Sequence, residues 1–202
     1  MTDTWFTFFA LLTVLANVAT LVLWGLALAS LTSERARQRW QDVRDLLGDI
    51  GLYVAALVAT VAMAGSLYLS EGAHLVPCKL CWYQRTAMYP LAVVLVVAAV
   101  RRDWSVRPYA LALSLAGPVI SIYHYLIERF PSLEVGASCD PNNPCTITLI
   151  WKFHYISIPF MALSAFALVA TVLLAARPSD WADPADLADP AEGVAARDHG
   201  EA

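Results

Sequence analysis

Five long apolar runs, separated by shorter polar stretches, dominate the hydrophobic pattern of the chain. They cover residues 5–31, 51–69, 82–100, 109–126 and 156–176. An α-helix rises 1.5 Å per residue, so about 20 apolar residues cross the roughly 30 Å hydrocarbon core of a bilayer. The pattern therefore predicts an all-α membrane protein with five transmembrane helices.

The first apolar run has an alternative interpretation as a secretory signal peptide, because Ala27-Leu28-Ala29 imitates a cleavage site. However, the residues before the run carry no positive charge. The run also exceeds the about 7–15 residues of a signal-peptide core. We therefore predict that it is retained as a membrane span.

Two segments outside the apolar runs have a different character. Residues 33–49 carry four arginines, with apolar residues at helical spacing, which predicts an amphipathic helix lying on the membrane; a solvated connector is the alternative. Residues 178–202 are acidic, contain Ala-Asp-Pro twice, and are predicted to be disordered. The chain thus divides into an N-terminal part (1–49), a central bundle (50–177) and a tail (178–202).

Composition supports the membrane assignment. Hydrophobic residues make up 59% of the chain and charged residues only 15%, which is unlike an ordinary soluble domain. The net charge is -4, but several of the acids lie in the tail, where solvation explains them. Nothing in this composition favours nucleic acid as a partner.

Basic residues are distributed unequally between the two sides that five crossings define. One side carries nine, in residues 33–49 and 101–107 and after the fifth span, whereas the other carries only Lys79, Arg129 and Lys152. Cytoplasmic loops are enriched in Lys and Arg, so the first side is predicted to be cytoplasmic and the amino terminus outside. All four cysteines then face the compartment in which disulfides persist.

The four cysteines form two close pairs. Cys78 and Cys81 open the third apolar run, and Arg85 follows one helical turn after Cys81. The positive end of a helix and a nearby guanidinium both favour thiolates, so this arrangement predicts a redox site. Cys139 and Cys145 lie in the long loop at residues 127–155, and loops of that length tend to be functional.

Two structural alternatives for the cysteines remain open. Disulfides within each pair would act as staples, although such short loops give only about 2 kcal/mol each. Four sulfurs could also bind zinc, although the spacing is unusual for a zinc knuckle. Two close pairs favour thiol–disulfide exchange, because one thiol of a pair can resolve a mixed disulfide formed by the other.

The string Pro77-Cys78-Lys79-Leu80-Cys81-Trp82-Tyr83-Gln84-Arg85 resembles the signature of the DsbB/BdbC family of quinone-dependent, disulfide-generating membrane proteins. Cys139 and Cys145, followed by the run at residues 156–160, resemble the second cysteine pair of that family and the start of its last helix. The resemblance covers about residues 51–176. It implies that spans two to five form a four-helix bundle, with the first span as an extra N-terminal helix.

The resemblance also implies a function. The protein would sit in the bacterial cytoplasmic (inner) membrane, reoxidise an extracytoplasmic thioredoxin-like (DsbA-like) protein and pass the electrons to a membrane quinone, either ubiquinone or menaquinone. Cys139 would exchange with the partner, Cys145 would relay to Cys78, and Cys81 would reduce the quinone. Arg85 and His124 would help to bind the quinone, and no metal is expected.

Two other functions remain as alternatives. A vitamin K epoxide reductase-like enzyme also couples a quinone to loop cysteines, but its active pair lies near the end of the last bundle helix, whereas Cys78 and Cys81 open the second. The chain could also be a membrane scaffold whose outer loops are stapled by structural disulfides.

Overall fold

The structure is a computed structural model that describes residues 2–134, 139 and 143–177. Its five long helices are α1 (Thr2–Ala29), α2 (Glu34–Leu67), α3 (Lys79–Arg101), α4 (Arg107–Arg129) and α5 (Ile158–Ala175). A π-helical turn at Tyr68–Gly72 extends α2, and short 3-10 helices at Trp104–Val106 and Pro131–Leu133 flank α4. The described part of the chain contains no strand, and Lys152 and Ile156 form an isolated antiparallel bridge.

All five helices are long and apolar enough to cross a membrane. The prediction of an all-α membrane protein with five transmembrane helices is therefore confirmed. The third and fourth helices also contain Pro90 and Pro118, and each helix continues through its proline.

Helices α2 to α5 form a closed ring in the order α2, α3, α4, α5, with α5 returning to α2. Their shared core is built mainly from small and aliphatic side chains around Leu91, Leu95, Phe166 and Val169, each fully buried. Gly117 makes the burial of Phe166 possible, because a Cβ at this position would overlap the Phe166 ring. The Phe166 side chain therefore packs directly on the α4 backbone.

Helix α1 lies outside the ring of helices α2 to α5 and packs against α5 and α2. Near one end, Phe9 contacts Gly65, where an added Cβ would lie 3.0 Å from the Phe9 ring. Near the other end, the Trp24 indole nitrogen donates a hydrogen bond of 3.1 Å to Thr171 Oγ1. The first helix is thus held on the bundle near both its ends.

The prediction of a separate surface helix at residues 33–49 is wrong. Helix α2 runs without interruption from Glu34 to Leu67, so the predicted boundary at residues 49 and 50 falls inside a helix. No proline interrupts this stretch, and a helix of 34 residues spans about 51 Å, well beyond the hydrocarbon core. The division of the chain into three parts stays a prediction, and the predicted disordered tail lies outside the described residues.

The amphipathic start of α2 docks on the end of α5. Arg44 Nε donates a hydrogen bond of 3.2 Å to the Ala175 carbonyl, and the Arg177 backbone N–H donates to the Arg44 carbonyl at 3.0 Å. A cation beside the last carbonyls of a helix is favourable, because these carry partial negative charge. We call this end of the bundle the basic end, and the opposite end, where α3 and α5 begin, the cysteine end.

Candidate functional site

Cys78 caps the amino terminus of α3, as the sequence predicted for a pair that opens a helix. Its backbone is extended, and its Sγ accepts a hydrogen bond of 3.4 Å from the Cys81 backbone N–H. The Cys78 and Cys81 sulfurs lie 3.0 Å apart, and both residues are free cysteines. The helix start thus holds the two sulfurs within reaction distance of one another.

His124 reaches the same sulfur from α4. Its ring is buried, with 2% exposure, and its Nε2 lies 3.6 Å from Cys78 Sγ. The Gln84 amide nitrogen lies 3.5 Å from His124 Nδ1 and 3.2 Å from Ser121 Oγ. An amide nitrogen only donates, so with the amide in this orientation Nδ1 of a neutral ring accepts and the ring proton lies on Nε2, facing the sulfur; a charged ring also carries a proton on Nε2.

The surroundings of Cys78 favour its thiolate. Its pKa is lowered from 9.0 to about 4, chiefly by the hydrogen bond with the Cys81 side chain and then, against the opposing effect of burial, by the hydrogen bond and charge of His124. A thiolate, rather than a thiol, is the reactive form in disulfide exchange. Cys78 is therefore prepared for this chemistry at neutral pH.

The second cysteine pair lies beside the first. Cys139 and Cys145 form a disulfide, and both are buried in one cluster with Cys78, Leu80 and Ile127. While this disulfide is formed, Cys139 and Cys145 offer no thiolate to a zinc ion. Cys78, Cys81 and His124 still place three ligand atoms within 4.8 Å of one another, a spacing that a metal ion could also use.

Asn143 ties the loop to the start of α3. Its side-chain nitrogen donates a hydrogen bond of 3.1 Å to the carbonyl of Pro77, which directly precedes Cys78. Since Asn143 lies two residues before Cys145, this bond holds the two cysteine pairs together. Sequence reasoning missed Asn143, because a loop asparagine bonded to a carbonyl 66 residues away leaves no local pattern.

Cys81 packs against the same cluster and also borders a second environment. It lines a cavity of about 440 Å³ between α1, α2, α3 and α5. Most of the lining side chains are apolar, and the polar ones contributed by α2 and α3 are Ser66, Gln84, Arg85 and Tyr89. Cys78 thus belongs to the cluster of the loop disulfide, whereas Cys81 contacts both that cluster and an apolar cavity.

Arg85 lines this cavity but is held by α2. Its guanidinium donates to the Ser66 hydroxyl at 3.0 Å, to the Ser66 carbonyl at 2.9 Å and to the Ser70 hydroxyl at 3.2 Å. It also lies 5.1 Å from the centre of the Trp82 ring. The sequence placed Arg85 on the face of the cysteines, but its hydrogen bonds go to α2 and not to a sulfur.

Ser66 positions Arg85, a role that sequence reasoning missed. The four-residue spacing of Ser66 and Ser70 would place both on one helix face and could have indicated a polar site. Gln84 lies within the cysteine motif, but its contact with His124 was not foreseen. Of the predicted site residues, the structure brings together Cys78, Cys81, His124 and the loop disulfide, with Arg85 at the neighbouring cavity.

Comparison with known proteins identifies related sequences. The family model described as disulfide bond formation protein DsbB matches residues 49–176. The chain is 44% identical over 118 residues to disulfide bond formation protein C of Bacillus subtilis, covering 58% of this chain and 86% of that protein. It is 38% identical over 135 residues to a "Probable disulfide formation protein" of Coxiella burnetii, covering 66% of this chain and 92% of the relative. No solved structure matches the chain.

Proposed function

Because the chain belongs to the DsbB family of membrane disulfide bond formation proteins, we propose that it reoxidises an extracytoplasmic thioredoxin-like dithiol protein and passes the electrons to a membrane quinone. One observation carries the proposal. Cys78 packs with the loop disulfide, and Cys81, 3.0 Å away, packs against the same cluster and also lines an apolar cavity. This arrangement supports a role for the pair in connecting a protein disulfide with a lipid-soluble electron acceptor.

Exchange begins at the loop. A thiolate of the partner attacks Cys139, the Cys139–Cys145 bond breaks, and Cys145 leaves as a thiolate. The second partner thiol then attacks the partner's own sulfur in the mixed disulfide, which oxidises the partner and leaves the loop pair as a dithiol. The partner has then lost two electrons and two protons in total.

The second exchange joins the two pairs. Cys145 attacks Cys78 of an oxidised Cys78–Cys81 pair, Cys81 leaves, and Cys139 then displaces Cys78 to restore the loop disulfide. A thiol of low pKa leaves readily, so the depressed pKa of Cys78 favours this last step. The Asn143 bond to Pro77 supports the exchange by keeping the loop at the start of α3.

The cavity beside Cys81 fits a membrane quinone, either ubiquinone or menaquinone. Its volume of about 440 Å³ and its largely apolar lining are typical of a site for such a ligand. A bound quinone would supply the acceptor for the two electrons and two protons of the Cys78–Cys81 dithiol. Arg85, fixed by Ser66 and Ser70, supplies a permanent positive charge at the cavity wall, which would favour negative charge there.

The proposed location is the bacterial cytoplasmic membrane, with the cysteine end outside. The count of nine basic residues against three supports this orientation. Arg44, Arg102 and Arg107 contact other helices at the opposite, basic end of the bundle. The vitamin K epoxide reductase-like alternative is disfavoured, because the active pair opens the second helix of the bundle.

The test is a reconstituted assay. The purified protein receives a reduced thioredoxin-like protein and a quinone, and quinone reduction is followed together with the thiol content of the partner. We expect one quinone reduced per dithiol oxidised, and no turnover in the Cys81→Ser or Cys139→Ser variants. Free thiols that stay constant while quinone and partner are present would instead support a scaffold with structural disulfides.

A further inference from the structure

We propose that α1 forms a wall of the site for the prenyl tail of the quinone, and that its cavity-facing residues determine how the protein binds long-tailed quinones. This inference rests on the proposed function. It assigns a role to the helix that precedes the family match, which begins at residue 49. The other walls are made by α2, α3 and α5.

The cavity extends along α1 away from Cys81. Its α1 lining comprises Phe9, Leu12, Thr13, Leu15, Ala16 and Ala19. The first and the last of these lie ten positions apart, which corresponds to about 15 Å along the helix. The facing residues of α2 run from Leu57 to Ser66, and those of α5 from Ile158 to Leu168, so the cavity is elongated along the bundle.

Polar groups that could bind a ligand gather at one end of this cavity. Arg85, Ser66 and Tyr89 are linked by hydrogen bonds there, close to the cysteine motif. Farther along, the Thr13 hydroxyl donates to the Phe9 carbonyl at 2.9 Å and the Ser164 hydroxyl donates to the Phe160 carbonyl at 2.9 Å. These hydroxyls are satisfied within their own helices, so this part of the cavity behaves as an apolar channel.

A polar end continuous with an apolar channel matches a molecule with a polar ring and a long hydrocarbon tail. The space exists because small residues line it on several helices, among them Ala16, Ala19, Ala62 and Ala165. Helix α1 is held beyond each end of this small-residue zone, by Phe9 on Gly65 and by Trp24 on Thr171. The two attachments keep α1 close to the bundle while the part between them leaves room for the tail.

The first test fills the channel from α1. Ala16→Trp adds a large side chain to the cavity wall, whereas Leu21→Trp adds the same ring on the outer side of α1, where Leu21 is 70% exposed and does not line the cavity. We expect Ala16→Trp to raise the KM for a long-tailed quinone by about tenfold or more, and to leave the KM for a tail-less benzoquinone and the thiol exchange with the partner unchanged. Leu21→Trp should behave like the wild type with both quinones.

The second test reads binding without turnover and uses the unaltered protein. A quinone with a photoreactive group on its tail is bound and illuminated, and the labelled peptides are identified by mass spectrometry. We expect labels on α1 within residues 12–19, and loss of these labels when an unmodified long-tailed quinone competes.

The two tests separate this inference from the function on which it rests. If the wild type reduces quinones but Ala16→Trp matches Leu21→Trp and the labels fall outside α1, the role of α1 is refuted while the function stands. If the wild type reduces no quinone, the proposed function fails, and the labelling still decides whether α1 lines a prenyl-tail site. Should Ala16→Trp not fold, labels on α1 of the wild type support the inference and labels confined to other helices refute it.

Discussion

Replacing His124 tests whether this buried ring stabilises the Cys78 thiolate. In His124→Phe the aromatic volume is retained, the contact of 3.6 Å from Nε2 to the sulfur is lost, and Gln84 keeps its hydrogen bond to Ser121. We expect the pKa of Cys78 to rise, because one of the groups that favours the charged form is removed.

The magnitude follows from the contacts of Cys78. A hydrogen bond to a charged group is worth about 1.5–3 kcal/mol, and about 1.4 kcal/mol corresponds to one pKa unit. Because the separation of 3.6 Å is long and the larger contribution, from Cys81, remains, we expect a rise of about one to two pKa units.

The assay follows alkylation of Cys78 by a small reagent as a function of pH, with the modified residue identified by mass spectrometry. Only the thiolate reacts, so the rate falls as pH drops through the pKa. The pH midpoint of Cys78 alkylation in His124→Phe should therefore lie above that of the wild type. At neutral pH the two rates should differ little, because Cys78 is then a thiolate in both proteins. Circular dichroism at each pH checks that the helices persist.

His74→Asn is the control, because His74 is the exposed histidine of the segment before Cys78 and asparagine tolerates its φ of 55°. This variant should keep the midpoint of the wild type. An unshifted midpoint in His124→Phe would refute the role of His124, whereas a rise close to the ordinary cysteine pKa would show that Cys81 does not make the larger contribution.

Four further predictions follow from the site and the packing. Arg85→Ala should raise the KM for quinone or lower kcat while partner exchange at Cys139 is unchanged, and loss of its hydrogen bonds to α2 should cost about 1–3 kcal/mol of stability; equal losses in turnover and exchange would contradict its role. Cys145→Ser should trap a mixed disulfide between Cys139 and the partner on a non-reducing gel, and an adduct seen only with Cys139→Ser would reverse the two roles. A thiol reagent that cannot cross membranes should label Cys139 in intact, reductant-treated cells, and failure to label would overturn the orientation. Gly117→Ala should lower the free energy of unfolding by about 1–3 kcal/mol, because the added Cβ would overlap the Phe166 side chain. An unchanged melting temperature would argue against this close contact.

The sequence was most informative where solvent alone decides the structure. A helix in lipid needs an apolar surface, so hydropathy located all five spans. The break expected near Gly51 did not occur, because the change from amphipathic to apolar sequence alters only which surroundings the helix meets. Its backbone hydrogen bonds continue through that change, since no proline removes a donor.

The candidate site was predictable only in part. The motif placed Cys78 and Cys81 at a helix start, because spacing and helix geometry are local properties. The contact of His124 with Cys78 joins residues 46 positions apart, and the bonds of Arg85 to Ser66 cross 19 positions. Such contacts depend on how the helices pack against each other, which a single sequence does not specify.

The Cys78 and Cys81 sulfurs, only 3.0 Å apart, join two surroundings of opposite polarity. Both cysteines pack with the loop disulfide, and Cys81 alone of the two also lines the apolar cavity. In the proposed function, each electron pair would therefore pass from the loop to the quinone by bond exchange at this pair, without contact between the water-soluble partner and the quinone. A soluble thiol that reduced the loop disulfide would then reach the quinone only by way of Cys78 and Cys81.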